Sequence, residues 1–333
     1  MKSSFTAYVV EQSESEITAS FKQMTDKDLP KGDVTIDVAY SSVNYKDGLA
    51  VSGEGRIIRD YPMVPGIDLS GTVISSEDPR FYKGQEVIAT SYGLGVSHFG
   101  GYSEYARVPA EWVVPLPQEM SLLDAMSYGT AGLTAGLSVH ALEAHGICPD
   151  DGEVLVTGAT GGVGSMAVAM LSKRGYQVVA STGKEAASDF LTSLGADRVI
   201  SREALQDGDN RPLQKQKWAA AVDPVGGASL ARILASVKYQ GAVAVSGLTG
   251  GGDVPTTVFP FILRGVSLFG IDSVECPMPK RSLVWKRLAT DLSVSAHFND
   301  TIQVIPLDDI PQALEAILQG KAKGRWVVDC KKA

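Results

Sequence analysis

The sequence predicts an α/β protein in which a compact, irregular β-rich region precedes a doubly wound parallel sheet. Three observations carry this. Short hydrophobic strands alternate with helical segments from Glu153 onward, thirty-five Gly supply the tight turns that strand–helix junctions consume, and 333 residues suit about two domains.

The first third reads as strands and turns. Val34–Val38 alternates as VTIDV, Gly71–Ser75 gives GTVIS and Glu86–Thr90 gives EVIAT, with Gly, Pro and Asp clusters between them. No long amphipathic helix is predicted before Leu122. From Ser121 the run SLLDAMSYGTAGLTAGLSVHALEAHG puts small and apolar residues at helical spacing and stops at Gly146, a C-cap candidate. Val154–Thr157 reads as a buried strand, Gly164–Arg174 as a helix stopped by Gly175, and Gln177–Ala180 as a second strand. Ala186–Leu194 reads as a helix stopped by Gly195 and Arg198–Ile200 as a third strand; Ala219–Asp223, Ala242–Ser246 and Ser267–Ile271 continue the series. After Pro277 come a helix (Arg281–Leu292), the strand-like TIQVI, a helix (Ile310–Leu318) and a closing strand, Trp326–Asp329. That strand would need another crossover to join the parallel sheet, so it is placed with the N-terminal β region.

Composition excludes several classes. Hydrophobic residues at 44% and charged residues at 20% are ordinary for a globular chain and argue against global disorder. A net charge of −8 argues against a basic, groove-tracking nucleic-acid binder but leaves room for a local basic pocket for a small anion. Three cysteines without a close pair, Cys148, Cys276 and Cys330, fit a reducing compartment. No apolar run reaches the ~18 residues of a membrane span, and MKSSFTAYVVEQSESE lacks the apolar core of a signal peptide. A cytoplasmic protein without a membrane element is expected.

The strongest chemical signal is EVLVTGATGGVGSMAVAMLSKRGYQVVASTGK, in which a hydrophobic strand runs into Ala159-Thr160-Gly161-Gly162-Val163-Gly164 and a helix follows at once. Such a turn lets backbone N–H groups approach a pyrophosphate at a helix N-terminus, and its last Gly lets helix and strand pack closely. Ala159 stands where the first Gly usually does, and a purely structural turn is the competing reading. An NAD-preferring site usually carries Asp or Glu about 20 residues further on. Here Ser181-Thr182-Gly183-Lys184 occupies that place, and hydroxyls with an ammonium suit a 2′-phosphate, so NADPH is the expected cofactor. Glu185 is read as the far end of a capping box with Thr182. Arg202 is a second candidate cation for the adenosine phosphate; a solvated surface Arg is its alternative.

The segments SSVNYKDGLA, PMVPGIDLSGTV, ATGGVG, AVDPVGG and VSGLTGGGDVPTTVFPFILRGVSLFGIDSV together resemble the zinc-independent medium-chain dehydrogenase/reductases, closest to the YhdH/YhfP-type quinone oxidoreductases with their acrylyl-CoA reductases. The resemblance covers essentially the whole chain. It implies a GroES-like β-barrel domain (1–127, completed by 272–333), a Rossmann NADP-binding domain (128–271), a cofactor cleft between them and usually a homodimer. It implies Tyr45 beside the nicotinamide and Thr160, Gly161, Gly162 and Val163 around the pyrophosphate. Thr182, Gly183 and Lys184, with Ser181 before them, and Arg202 would hold the adenosine phosphate. Leu248 and Ile262 would line the ribose and nicotinamide, and Ser273 would contact the same end. The last family position falls at Gly320, where only backbone can make a contact.

Zinc members of the superfamily need a catalytic Cys, a Gly-His-Glu segment and a further Cys. Here Gly66-Ile67-Asp68 replaces Gly-His-Glu, no Cys precedes position 148, and His98, His140, His145 and His297 lack metal-ligand spacing, so no zinc is expected. Hydride transfer to an activated C=C asks less of the protein than alcohol oxidation does. For an enoyl thioester, the growing negative charge on the thioester oxygen needs hydrogen-bond donors and the α-carbon needs a proton. Tyr45 is a candidate donor; it is alternatively an orienting group or a packed barrel aromatic, with Asn44 and Lys46 as other polar contacts. Asp47 and Asp68 invite a catalytic-acid reading, but beside Gly in turn-like segments they read better as carboxylates that satisfy backbone N–H groups. Lys46, Arg56 and Arg59 are candidates for the phosphates of a CoA tail or for solvated surface charge. Asp223 to Gly227 reads as shaping the cleft floor. The readings in play are an NADPH-dependent reductase of short enoyl thioesters such as acrylyl-CoA, a broad-specificity quinone reductase, and a non-catalytic NADPH-binding protein. The edge strand Ser267–Ile271 is a candidate for pairing across a two-fold axis.

Overall fold

Strands form where apolar residues alternate or run together, and helices where small and apolar residues recur at helical spacing. The computed structural model describes residues 1–14, 16–205, 211–298, 301–322 and 324–332. Along the chain lie β1 (Phe5–Ser13), β2 (Glu16–Met24), β3 (Val34–Ser42), α1 (Tyr45–Ser52), β4 (Asp68–Ser76), β5 (Glu86–Thr90), β6 (Tyr105–Val108), β7 (Val113–Pro115) and α2 (Leu122–His145). Then come β8 (Val154–Val156), α3 (Gly162–Lys173), β9 (Val178–Thr182), α4 (Ser188–Ser193), β10 (Arg198–Ser201), β11 (Trp218–Asp223), α5 (Gly227–Ser236) and β12 (Val237–Val245). The chain continues through α6 (Phe259–Arg264), β13 (Ser267–Gly270), α7 (Met278–Ala289), α8 (Ser295–Phe298), β14 (Ile302–Pro306), α9 (Ile310–Leu318) and β15 (Arg325–Asp329).

Two compact units result, one of Met1–Thr130, Val274–Leu283 and Phe298–Ala333, the other of Ala131–Ser273 and Val284–His297. The sequence reading put 128–271 in the second domain and all of 272–333 with the first; residues 128–130 lie with the first unit, and Asp272, Ser273 and Val284–His297 with the second. For Val284–His297 the physical reason is the packing of α7 on α2. A Cβ at Gly136 would lie 2.8 Å from Val284 Cγ1, and Arg287 pairs with Glu143 at 2.6 Å. Val274–Leu283 stays with the first unit because buried Arg281 donates to the Thr90 carbonyl (2.9 Å) and the Val274 carbonyl (3.0 Å) and lies 4.2 Å over the Tyr92 ring.

In the first unit the sheet runs β14-β15-β3-β4-β5-β7, with β6 also paired to β3. The closing strand β15 joins β3 antiparallel, Val327 opposite Ser42, as the sequence reading had placed it. Val34, Ile36, Val38, Leu69, Val73 and Val87 meet in its core. The β1–β2 hairpin and α1 were not individually read from the sequence. β2 (EITASFKQM) carries polar residues along its length, and α1 is only eight residues.

The second unit contains a parallel sheet in the order β10-β9-β8-β11-β12-β13. Renumbered from β8, this is the 3-2-1-4-5-6 order of the dinucleotide-binding fold, with its reversal point between β8 and β11. β8 and β11 are buried throughout, as expected of parallel strands covered on both faces. Helix α3 comes close to the β8 turn because Gly164 has no side chain: a Cβ there would lie 2.8 Å from Ala159 Cα and would overlap the Gly158 carbonyl. Gly164→Ala is therefore expected to destabilise the fold by about 1–3 kcal/mol through overpacking against rigid backbone. Denaturant titration checks this, and an unchanged midpoint would show that helix and turn can separate freely.

Candidate functional site

In the second unit Thr160–Val163, Ser181–Lys184 and Arg202 lie at the C-terminal ends of β8, β9 and β10. Gly158 has a φ of 52°, a left-handed conformation that favours glycine, and the turn closes through Gly161 N–H to the Gly158 carbonyl at 2.9 Å. Ala159 N–H donates to the Ser181 carbonyl at 3.1 Å, which ties the turn to β9. Thr160, Gly161, Gly162 and Val163 follow and lead into α3, whose N-terminus has no side-chain cap and no acidic residue in its first turn. Its first-turn N–H groups carry the positive end of the helix dipole.

Ser181 and Thr182 are buried at the end of β9. Lys184 N–H donates to Thr182 Oγ1 at 3.0 Å, and Arg202 N–H to the Thr182 carbonyl at 2.9 Å. A Cβ at Gly183 would overlap the Arg202 guanidinium, so the absent side chain is what admits that cation. Arg202, Gly183 and Lys184 thus form one exposed group. The Glu185 side chain lies outside the described residues. Leu248 follows β12 and Ile262 sits in α6; they are 71% and 68% exposed. Ser273 is buried, its hydroxyl 2.9 Å from Thr134 Oγ1. Gly320 follows α9 in the first unit with a φ of 67°. The Ser246 hydroxyl, at the end of β12, is buried and has no hydrogen-bond partner among the described residues.

Tyr45, the remaining predicted contact, is the first residue of α1 in the first unit and is 50% exposed, so it is not a packed barrel aromatic. A buried polar cluster holds its helix. Asp47 accepts Asn44 N–H (3.0 Å) and Ile67 N–H (2.9 Å), closing a capping box on the first turn. Asp68 gathers donors from three further segments: Ser42 Oγ (2.6 Å), Asn44 Nδ2 (2.8 Å), and Thr130 through its N–H (2.9 Å) and its hydroxyl. α2 is kinked at Gly129, where a Cβ would meet Asp68 Oδ2 at 2.6 Å and the Arg325 guanidinium at 3.0 Å. Asp47 fits the expected turn role, whereas Asp68 is mainly engaged by side chains distant in sequence. Ser42, Thr130 and Arg325 were missed as members of this cluster. No local spacing marks them, although the Asn44–Asp47 capping pattern and Gly53 could have marked α1.

The electrostatics follow from burial. The Asp47 carboxyl is pushed up to about 7, first by desolvation and then by the charge of Asp68, against the hydrogen bonds it accepts. Burial raises the Tyr102 phenol, which donates to the Ser42 carbonyl at 3.2 Å. Burial lowers the Arg325 guanidinium, and Asp68 and Asp47 oppose that shift.

Comparison with known proteins matches this architecture. An alcohol dehydrogenase GroES-like domain model covers residues 30–118, and a zinc-binding dehydrogenase model covers 162–289. YhfP of Bacillus subtilis, provisionally named a quinone oxidoreductase, is 57% identical over 98% of this chain and 99% of its own. The chain belongs to the medium-chain dehydrogenase/reductase family. Acrylyl-CoA reductase AcuI of Ruegeria pomeroyi is 48% identical over 98% of this chain and 99% of its own. The YhdH oxidoreductase of Salmonella enterica, solved in complex with NADP, superposes with a TM-score of 0.94 at 50% identity, covering 97% and 99%. The YhfP structure carries bound NAD and superposes at 0.95, covering 98% and 100%.

The zinc named by the second family model can be tested against the donors in this chain. At Gly66-Ile67-Asp68 the central residue is a buried isoleucine, and the Asp68 oxygens are engaged by Ser42, Asn44 and Thr130. Among the described residues no group of three His, Cys, Asp or Glu is placed to hold a metal. His98 bonds the Arg107 carbonyl, His140 meets Arg287 and His145 packs on Phe269. These residues do not fit a tetrahedral zinc site.

Asp47 yields a pH prediction. The unfolded chain releases this proton near 3.8 and the folded chain near 7, so the native state binds more protons between those values and stability falls as pH rises through that window. The stability difference between the parent and Asp47→Asn should therefore shift against the parent from about pH 4 to about pH 7. Urea unfolding at several pH values reads it; parallel curves would refute the assignment.

Proposed function

We propose that the chain is an NADPH-dependent reductase of the activated C=C of a short enoyl thioester, acrylyl-CoA being the model substrate, working without a metal ion. The observation that carries the cofactor is the Arg202 guanidinium over Gly183 beside Lys184. Two cations at the end of the second strand of this fold suit a 2′-phosphate, where an acidic side chain would select the free ribose. The uncapped N-terminus of α3 and the turn Thr160–Val163 offer backbone N–H groups to the pyrophosphate. Leu248, Ile262 and Tyr45 are among the exposed large hydrophobic residues, in keeping with a role against a flat ring or ribose. The buried Ser246 hydroxyl is a further polar group that a ligand or water would satisfy. The Salmonella relative was solved with NADP and the Bacillus relative with NAD, so the preference for the phosphorylated form rests here on Arg202 and Lys184.

When bound, NADPH supplies hydride to an electron-poor acceptor. The protein's part is placement. Tyr45, fixed at the start of α1 by Asp47 and Asn44, presents a phenol at that position, and its hydroxyl either donates toward the thioester oxygen or orients the ring beside it. Lys46, Arg56 and Arg59 are the candidates for the phosphates of the CoA portion. The name of AcuI favours the thioester and that of YhfP a quinone, which remains the second reading. A homodimer paired through β13, whose Leu268 is 40% exposed on the sheet edge, belongs to the same proposal. No described helix is long and apolar enough to cross a membrane, and the proposed compartment is the cytoplasm.

Four measurements test this reading. NADPH oxidation with acrylyl-CoA, crotonyl-CoA and benzoquinone should show turnover confined to the thioesters; turnover on quinone alone would move the function to the second reading. Metal analysis should find no stoichiometric zinc. Lys184→Ala should raise KM for NADPH by about tenfold, the equivalent of one charged hydrogen bond, and leave KM for NADH near the parent value. Equal effects would remove the 2′-phosphate argument. Tyr45→Phe should lower kcat while leaving NADPH affinity intact if the hydroxyl donates; a change in affinity alone assigns it to orientation.

A further inference from the structure

We infer that Asp223 is the positioning residue of the phosphate turn: its carboxylate holds the glycine turn after β8 and the 223–227 turn after β11 together across the reversal point of the sheet. This rests on the dinucleotide reading above and deepens it by naming what sets the height and register of the turn.

β8 and β11 are parallel neighbours with Val156 opposite Val222. The ladder continues one step further, from Thr157 N–H to the Val222 carbonyl at 3.1 Å. Beyond it the two chains lead into different helices, α3 and α5, which is where an open α/β sheet forms its crevice. The Asp223 side chain spans that point. The Thr157 hydroxyl donates to Oδ1; Val225 N–H donates to the same oxygen (3.3 Å) and Gly226 N–H to Oδ2 (2.9 Å). One carboxylate thus fixes both the entrance to the glycine turn and the backbone beneath it.

The side chains of Pro224 and Val225, carried on that backbone, lie against the turn. A Cβ added at Gly158 would lie 3.1 Å from Val225 Cγ2 and 3.4 Å from Pro224 Cγ. Gly158 itself has no side chain to fix its place, so its position depends on what lies under it. The third loop is tied to the same backbone, through Gly250 N–H to the Val225 carbonyl (2.8 Å) and Ser246 N–H to the Asp223 carbonyl (3.0 Å). Asp223 is fully buried, and burial raises its pKa against the three donors it accepts. A carboxylate in such a place is costly unless its hydrogen bonds are made. Asparagine would match its shape but would offer only one acceptor and turn an NH2 group toward donors.

The test is fluorescence titration of the folded protein with NADPH and with NADH. Asp223→Asn should loosen both by on the order of tenfold, the equivalent of about one hydrogen bond to a charged group, whereas Lys184→Ala loosens NADPH alone. Thr157→Val, which removes one arm, should act in the same direction, and Thr157→Ser should restore parent affinity. The double variant should bind no more weakly than Asp223→Asn, because the two residues act through one contact. A merely structural role would lower the melting temperature and leave both dissociation constants at the parent value; that result, or a loss confined to NADPH, overturns the inference. If Asp223→Asn does not fold, the Thr157 pair carries the same test with the same outcomes. A parent protein that binds neither dinucleotide overturns the cofactor reading itself, while a binding parent with unchanged variants overturns only the role of Asp223.

Discussion

Asp68 is a carboxylate wholly removed from solvent, and the first unit is arranged around satisfying it. A buried carboxylate without donors is among the most destabilising things a core can contain. Here the donors come from the end of β3, the cap of α1 and the residue after the α2 kink. Arg325, on the closing strand, contributes the opposing charge. The carboxylate therefore ties these segments to one another. At the α2 kink the residue is glycine, since any side chain at 129 would occupy the space of the carboxylate and guanidinium. Tyr45 inherits its place from this arrangement, since Asn44 both caps α1 and donates to Asp68.

The second unit reaches precision by the opposite route, through the absence of atoms. Gly164 lets α3 close on the β8 turn, Gly183 leaves space for the Arg202 guanidinium, and a side chain at Gly158 would crowd Val225 and Pro224. Close approaches of this kind are individually weak. They remove freedom from the backbone, and the hydrogen bonds around Asp223 then choose among the conformations that remain. A glycine-rich turn is permissive, and a permissive turn needs a fixed floor to hold a ligand in one register.

What the sequence made legible follows from how local each cause is. The βα series from Val154 and the strand Glu86–Thr90 were readable because continuous or alternating apolar residues report burial directly. Helix Ile310–Leu318 was readable for the same reason. The β1–β2 hairpin escaped because polar residues on β2 hide its period. The second-unit site residues fall near one another because the fold sends consecutive strand ends to one edge. The Asp68 cluster could not be read that way: Ser42, Thr130 and Arg325 are far apart in the chain, and what unites them is the cost of one buried charge. The membership of Val284–His297 in the second unit was hidden for a similar reason, since it depends on Gly136 and Glu143 far upstream.

The net charge of −8 bears on how a polyanionic cofactor would be held. Asp47, Asp68 and Asp223 contribute to that formal charge, yet each is buried and bound to donors inside the protein. At physiological salt the remaining surface charge is screened within about 8 Å, so in the proposed reading local contacts would outweigh the net balance. Those contacts would be of two kinds. Backbone N–H groups at the start of α3 are directional and belong to a rigid frame, whereas Lys184 and Arg202 are exposed and open to screening. In the proposed reading, selection between phosphorylated and unphosphorylated nucleotide therefore resides at the surface, and placement of the nucleotide resides in the interior. A change at the first alters which nucleotide is held; a change at the second alters whether either is held in register with the acceptor.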